Sequence, residues 1–156
     1  MGSVCLSAEV AEAREPSGDA EWAAYYELRW RILRAPWQQH GPERDETDDI
    51  SVHRMVCDHE GRVLAVGRLH RVDDDTGQIR FMAVDTDQQR RGYGSLLLRA
   101  LEQVAVDLGL ARIILQAREN AVPFYLAHGY RIEKKSFLLF DEIQHYLMSR
   151  PLGGAS

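Results

Sequence analysis

The sequence predicts an α/β (α+β) protein built on a mixed, mostly antiparallel sheet that is flanked by helices. Three strand-like segments, 51–58, 62–72 and 78–84, follow one another across short polar turns, which favours an antiparallel meander. A strand–helix–strand unit then covers 78–118 and predicts one right-handed parallel crossover. Because the chain has 156 residues, we expect a single domain spanning 1–156.

Composition narrows the class of protein. Hydrophobic residues make up 45% and charged residues 28%, as in soluble globular domains, and the net charge of −5 disfavours broad nucleic-acid binding. The two cysteines, Cys5 and Cys57, lack the close spacing of a zinc or redox site, so no metal is expected. No secretory signal or membrane-spanning run is visible, which predicts a cytoplasmic protein without membrane contacts.

The first helix is predicted over 19–34 and ends before Pro36. Its apolar residues form two adjacent stripes: Trp22, Tyr26 and Leu33, and Tyr25, Leu28 and Ile32. Arg29 interrupts the first stripe; such an arginine usually directs its guanidinium outwards, and the alternative is that it points into a site. The polar loop 35–50 follows, and its acidic run 43–49 is a candidate substrate rim.

The clearest helix begins around Gly92–Gly94 and ends at Gly109, a residue typical of a left-handed C-terminal cap. Its predicted buried residues recur at helical spacing: Leu96, Leu97, Ala100, Leu101, Val104 and Leu108. Its predicted exposed face carries Arg99, Glu102, Gln103 and Asp107. The remaining elements are a strand over 111–118, a short helix over 119–128 that ends at Gly129, and strands over 130–140 and 145–150.

The turn between Val84 and this helix is the candidate ligand site. A helix start offers backbone N–H groups and partial positive charge, which suit an anion, and glycines allow phosphate oxygens to approach closely. Arg90 and Arg91 add positive charge beside the turn. Glycines also serve tight turns that bind nothing, so the turn alone leaves both possibilities open. The segment lacks the Walker pattern and the third glycine of a dinucleotide fingerprint.

Two landmarks narrow the choice. The segment 89–94, Gln-Arg-Arg-Gly-Tyr-Gly, resembles the Arg/Gln-x-x-Gly-x-Gly/Ala turn of the GNAT family of N-acetyltransferases. The preceding 81–84, Phe-Met-Ala-Val, resembles that family's apolar strand, and 124–130 resembles its second landmark, Phe-Tyr followed by Gly-Phe/Tyr. The resemblance implies a GNAT fold of six to seven strands, with a splayed parallel pair at the cofactor gap, and acetyl-CoA as cosubstrate.

A closer likeness concerns the first half of the chain. Four segments resemble the acetyltransferase domain that precedes a hotdog thioesterase domain in some bacterial two-domain proteins: Tyr26–Trp30, Leu33–Pro36, Glu43–Asp45 and Val66–Leu69. The sequence ends before any second domain; if it is a full-length protein, we expect a stand-alone relative, and no thioesterase activity is inferred.

The resemblance also assigns roles. It implies that the backbone of Met82 and Val84 binds the pantetheine arm, and that backbone N–H groups hold the pyrophosphate. The residues of that second set are Gln89, Arg90, Arg91, Gly92, Tyr93, Gly94 and Ser95. An amine then attacks the thioester directly, and Tyr125 matches the family's proton donor to the departing thiolate; its alternative role is aromatic packing.

The general base stays open among several residues: His53, His70, His145, Glu43 and Asp45. We favour His145, because the segment 141–148 is expected to border the acceptor cavity. One position departs from the family: Arg118 stands where an asparagine is frequent, seven residues before Tyr125. Arg118 could contact a phosphate or pair with Glu119, and Asn120 is expected to help start the short helix.

These residues predict an acyl-CoA-dependent N-acyltransferase acting on an amine of a small molecule or a protein, as a monomer or homodimer. The alternative is a CoA-binding sensor or interaction module with the same fold and little turnover. The turn identifies the donor, and the sequence leaves the acceptor open.

Overall fold

A computed structural model describes residues 11–33, 48–85, 92–139 and 143–153. The chain divides into two compact units: Met1–Arg68 with Phe81–Leu101, and Leu69–Arg80 with Glu102–Ser156. A single domain over 1–156 stays a prediction.

Seven strands and three α-helices form the described part of the chain. The strands are β1 (Glu12–Arg14), β2 (Val52–Cys57), β3 (Val63–Arg71), β4 (Thr76–Val84), β5 (Arg112–Arg118), β6 (Arg131–Leu139) and β7 (Ile143–Pro151). The α-helices are α1 (Gly18–Leu33), α2 (Tyr93–Asp107) and α3 (Val122–Ala127), and 3₁₀ turns cover Asp48–Ile50 and Glu119–Ala121. The strands form one sheet in the order β1-β2-β3-β4-β5-β7-β6. None of the described helices combines the length and apolar composition needed to cross a membrane.

The predicted mixed sheet is confirmed. β4 and β5 run parallel, paired from Thr76 with Arg112 to Ile79 with Leu115, as the strand–helix–strand pattern requires. β1–β2, β5–β7 and β6–β7 are antiparallel. Short turns join β2 to β3 and β3 to β4, and such turns connect antiparallel neighbours.

β1 is the strand that the sequence did not reveal. It has three residues, too few for an alternating pattern to be recognised, and pairs with β2 from Glu12 opposite Cys57 to Arg14 opposite Met55. Both guanidinium Nη atoms of Arg14 lie 2.7 Å from the carboxylate of Glu21 in α1, and this hydrogen bonding lowers the pKa of Glu21 to about 2. The pair ties β1 to the first turn of α1.

The core of the first unit forms where α1 covers β2, β3 and β4. Both predicted stripes of α1 contribute, since Tyr25, Tyr26 and Leu28 are buried and Trp22, Ile32 and Leu33 pack against them. The sheet side of this cluster consists of Met55, Cys57, Val63, Val66 and Ala83.

α2 buries a face rotated from the predicted one. Leu97, Leu101 and Val104 are buried as expected, and so are Leu98 and Ala105, whereas Leu96 and Leu108 are exposed. At the C-terminal end of α2, Gly109 has the predicted left-handed conformation, with φ 77°.

Glu102 is a further correction, because the predicted polar face of α2 placed it in solvent, yet it is buried. The hydroxyl of Tyr130 donates to it at 3.0 Å, and Arg150 lies 3.2 Å away. These two partners offset the desolvation of the carboxylate, which is what a buried charge requires.

Gly67 in β3 tests the packing of the first unit. A Cβ at this position would lie 2.9 Å from Met82 Cγ, closer than real Cβ atoms approach, and 3.1 Å from Leu101 Cδ1, which is a tight contact. We expect Gly67→Ala to lower the free energy of unfolding by about 1 kcal/mol, measured by denaturant titration, because these side chains must shift. Gly153→Ala is the control, since a Cβ there meets nothing within 4 Å. Equal stability of both variants would contradict the packing described here.

Candidate active site

β4 carries a strained residue near its carboxyl end. Phe81 has φ 57°, and no other non-glycine residue in the described ranges has a positive φ. The left-handed conformation costs an L-residue about 1–2 kcal/mol. The ladder between β4 and β5 is paired only as far as Ile79 and Leu115, although β4 continues to Val84. Phe81 therefore marks a break in the regular strand immediately before Met82 and Val84.

Two buried guanidinium groups lie over the ring of Phe81. The Cζ atom of Arg29 lies 4.3 Å from the ring centroid and that of Arg68 lies 4.8 Å from it. Cation–π contacts of desolvated arginines are worth about 2 kcal/mol, the same order as the strain at Phe81. The strain thus coincides with contacts that can offset it.

Asp48 joins the two arginines. Its Oδ1 accepts hydrogen bonds of 2.9 Å from Nη1 of both Arg29 and Arg68, and its Oδ2 accepts one of 2.9 Å from Nη2 of Arg29. Burial acts to lower the pKa of Arg29, but the hydrogen bond to Asp48, the charge of Asp48 and the nearby Tyr25 and Tyr26 together outweigh it and hold that pKa above its ordinary value. All three side chains are buried, so they form a desolvated ionic cluster. We call it the Arg29–Asp48–Arg68 cluster.

This cluster corrects two expectations. Arg29 was expected to direct its guanidinium outwards, and Asp48 belonged to an acidic run interpreted as a substrate rim; both are buried because each supplies the other's charge partner. A signal was present in the sequence: Arg68 interrupts an apolar strand between Val66 and Leu69, where a charge needs a buried partner. The sequence could not say that Asp48 is that partner.

His53 is held within the same region. Its Nε2 donates to the backbone oxygen of Asp48 at 2.9 Å, so Nδ1 carries the lone pair and lies 2.7 Å from the hydroxyl of Tyr25. Burial lowers the pKa of His53. With both ring nitrogens engaged, His53 has a structural role and is a poor candidate for the base. His70 lies in β3, half-buried, and Glu43 and Asp45 lie outside the described residues.

The predicted helix start is present at Gly92. Its φ of 86° suits glycine, and its backbone oxygen accepts the first helical hydrogen bond from Leu96 at 3.0 Å. The first-turn amides therefore belong to Tyr93 and Gly94, and an α-helix supplies no carbonyl for such groups. A Cβ at Gly92 would meet nothing within 4 Å, so the space in front of the turn is open. Residues 89–91 lie outside the described part of the chain.

The residue that follows β4, Asp85, is held by backbone and side-chain contacts. The backbone N–H of Asp85 donates to Leu64 at 2.8 Å, and its buried carboxylate pairs with Arg31 at 3.3 Å and Arg62 at 3.4 Å. These residues line an open pocket of about 490 Å³ with Ala24, Glu27, Leu28, Gly61 and Val63. Acidic and basic groups balance there, so the pocket has no marked preference for an anion.

Tyr125 lies in α3 and is 7% exposed. Its ring meets those of Phe124 and Tyr130 edge-on, with centroids 5.0 and 5.7 Å away. Burial raises the pKa of the Tyr125 phenol above its ordinary value, so the group keeps its proton at neutral pH. This is the protonation state that a proton donor needs, and it is equally compatible with aromatic packing.

His145 lies in β7 and stacks on Phe137, with ring centroids 4.3 Å apart. Its Nδ1 donates to the backbone oxygen of Ile143 at 3.0 Å, which leaves the lone pair on Nε2. Burial lowers the pKa of His145, and so does the charge of Arg118, its partner in the β5–β7 register. His145 is therefore neutral at pH 7, the form that accepts a proton.

The neighbourhood of Arg118 also corrects one expectation. Asn120 was expected to start the short helix, but it lies within the 3₁₀ turn, and Ala121 is the N-cap of α3. No side-chain hydrogen bond caps this helix; Pro123 in its first turn, which needs no backbone N–H there, favours the start instead. Arg118 ends β5 half-buried, and burial lowers the pKa of its guanidinium.

Comparison with known proteins agrees with this fold. The model of the Acetyltransferase (GNAT) family matches residues 22–130. The uncharacterized N-acetyltransferase YjcF of Bacillus subtilis is 34% identical over 116 residues, which cover 72% of this chain and 81% of YjcF. The chain belongs to the GNAT family and is therefore an acetyltransferase.

Solved structures show the same fold at low sequence identity. The ribosomal-protein-S18-alanine N-acetyltransferase of Escherichia coli has a TM-score of 0.73 and 19% identity, covering 94% of this chain and 96% of its own. A GNAT family acetyltransferase of Elizabethkingia anophelis, solved with acetyl-CoA bound, has a TM-score of 0.70 and 13% identity over 90% and 96%. The likeness to a domain that precedes a thioesterase stays a prediction.

Proposed function

We propose that the protein transfers the acetyl group of acetyl-CoA to an amine by direct attack within a ternary complex. The observation that carries the proposal is the break in β4 at Phe81, followed along the chain by the open helix start at Gly92. Family membership supplies the donor class. The acceptor is an amine on a small molecule or a protein.

The donor contacts follow from the backbone. Amide N–H groups from Gln89 to Ser95 hold the pyrophosphate, since a helix start offers unpaired donors and partial positive charge to an anion. The backbone of Met82 and Val84 holds the pantetheine arm and orients the thioester. The open space around Gly92 fits this role, because a phosphate can approach the backbone there without meeting a side chain.

Two side chains move protons in the proposed reaction. The attacking amine must lose a proton as its nitrogen bonds to the acyl carbon, and neutral His145 accepts it at Nε2. The C–S bond breaks as the tetrahedral intermediate collapses, and Tyr125 donates its phenolic proton to the departing sulfur. No covalent acyl-enzyme is required, so neither cysteine takes part.

The assignment of Gly92 predicts a selective loss of donor binding. Gly92→Val should weaken acetyl-CoA affinity at least tenfold by calorimetric titration, because the new side chain occupies the phosphate approach. The control is Gly109→Val at the other end of α2: Gly109 also has a positive φ and open space around its Cβ position. The control imposes the same kind of backbone strain and should bind acetyl-CoA like the wild type. Equal affinity of the two variants would refute the assignment.

The role of Tyr125 is tested by thiol release from acetyl-CoA over a broad amine panel. Tyr125→Phe removes only the hydroxyl, so kcat should fall about 100-fold or more while acetyl-CoA affinity is retained. Tyr130→Phe is the control, since it removes a buried hydroxyl bonded to Glu102 and should affect stability instead. If no amine stimulates thiol release while acetyl-CoA still stabilises the fold, the protein is a CoA-binding sensor or interaction module.

The role of His145 predicts a pH signature. A base must be neutral, and its lowered pKa means that kcat should stay level near pH 7 and fall only below the ordinary histidine value of about 6.5. His145→Gln should lower kcat at pH 7 and abolish this acid limb when both enzymes are assayed with the same amine, which cancels the titration of the acceptor. An unchanged acid limb in the variant would assign the base elsewhere.

A further inference from the structure

The Arg29–Asp48–Arg68 cluster has no role in the reaction proposed above. A buried ion pair is weak evidence for stability, because desolvation of the charges can exceed their attraction, and apolar residues of similar volume often serve as well. Two desolvated arginines around one carboxylate therefore call for a function other than stability. We look for that function in the contact between the two guanidinium groups and their neighbour.

The guanidinium groups of Arg29 and Arg68 both lie over the ring of Phe81. Phenylalanine adopts a left-handed conformation rarely, and such outliers persist only where their surroundings over-determine them. The surroundings of Phe81 include Arg29 and Arg68, each with a guanidinium carbon less than 5 Å from its ring centroid. Because Asp48 hydrogen-bonds both arginines, their planes are held relative to each other as well as to the ring.

Asp48 is itself held in place. Its backbone oxygen accepts from Nε2 of His53 at 2.9 Å and from the N–H of Ser51 at 3.3 Å. The hydroxyl of Tyr25 lies 2.7 Å from Nδ1 of His53 and 3.0 Å from the backbone oxygen of Gly67, the residue before Arg68, so its single proton lies between two acceptors. The 3₁₀ turn, α1 and β3 are thus linked by hydrogen bonds around the cluster.

We infer that the Arg29–Asp48–Arg68 cluster is a positioning device that holds Phe81 left-handed and thereby sets the backbone of Met82–Val84 for the acyl-CoA arm. The part of this inference that concerns the conformation of Phe81 involves residues of the first unit alone. The part that concerns acyl-CoA rests on the proposed function. Arg29, Asp48 and Arg68 act through Phe81 and contact no reacting atom in this scheme.

The most direct test replaces one planar guanidinium group with a side chain of the same charge. Arg68→Lys retains a cation for Asp48 and loses the flat group that stacks on the ring. In the cofactor-free protein, the backbone chemical shifts and amide–Hα coupling of residue 81 should move from left-handed towards extended values. Acetyl-CoA affinity by calorimetric titration should fall about tenfold. If residue 81 keeps its left-handed signature in this variant, the inference is wrong.

Glycine at position 81 provides the rescue. Glycine adopts a positive φ without steric strain, so it needs no guanidinium groups over a ring to hold this conformation. Phe81→Gly in the Arg68→Lys background should recover most of the lost affinity, whereas a purely structural role of Arg68 predicts no recovery. Should Arg68→Lys fail to fold, the single variants decide: Phe81→Gly should bind acetyl-CoA several-fold more tightly than Phe81→Ala. The reverse order would overturn the inference.

Two controls separate the possible failures. Glu102→Gln disrupts a buried ion pair with Arg150 in the second unit, so it should lower the melting temperature and leave acetyl-CoA affinity unchanged. A wild-type protein that does not bind acetyl-CoA would refute the proposed function, while the shifts of residue 81 would still decide the role of the cluster. A loss of affinity in Glu102→Gln equal to that in Arg68→Lys would reduce the cluster to a general stabilising element.

Discussion

The conformation of β4 depends on the ion pairs that the carboxylate of Asp48 forms with Arg29 and Arg68. This carboxylate lies in a short 3₁₀ turn, yet it brings together a guanidinium from α1 and one from β3. Removing one partner of a buried ion pair typically costs about 3–5 kcal/mol, so the carboxylate tightly constrains both arginines. Both arginines lie over the ring of Phe81, so the attraction between the carboxylate and the guanidinium groups helps to hold the backbone angle φ of Phe81 at its positive value. An apolar core could cover the same area without specifying that angle.

The ends of the β4–α2 connection show two further ways of fixing a backbone. At the end of β4, a main-chain bond to Leu64 and a buried carboxylate with two arginine partners hold Asp85. At the start of α2, Gly92 supplies a left-handed turn, and a Cβ at this position would meet nothing within 4 Å. A side-chain network therefore controls the strand, while the helix start depends on the absence of a side chain. The second arrangement suits a ligand recognised through its phosphates, which bind to backbone groups.

Much of the fold could be predicted from local patterns. The parallel β4–β5 pair, the apolar stripes of α1 and the cap at Gly109 follow from periodicity and turn chemistry, which involve neighbouring residues. The buried charges could not be predicted in this way. The helical pattern predicts that Glu102 is exposed, and only the folded structure shows that Tyr130 and Arg150 contact it. Asp48 belongs to a run of acidic residues, and such runs normally face water. Partners of buried ions are distant in sequence, so only the tertiary structure identifies them. The roles of Tyr125 and His145 rest on resemblance, because no local pattern separates a proton donor from a packed aromatic.

The environments of Tyr125 and His145 are consistent with those proposed roles for a physical reason. Burial disfavours whichever form of a group is charged, so it raises the pKa of a phenol and lowers that of an imidazole. One cause therefore keeps the tyrosine protonated and the histidine neutral across physiological pH, which are the forms a donor and an acceptor of protons require. For His145 the charge of Arg118 acts in the same direction. Arg118, which stands where the resemblance predicts an asparagine, thus has a physical effect on the proposed base: by lowering the pKa of His145 it extends towards lower pH the range over which His145 can accept a proton.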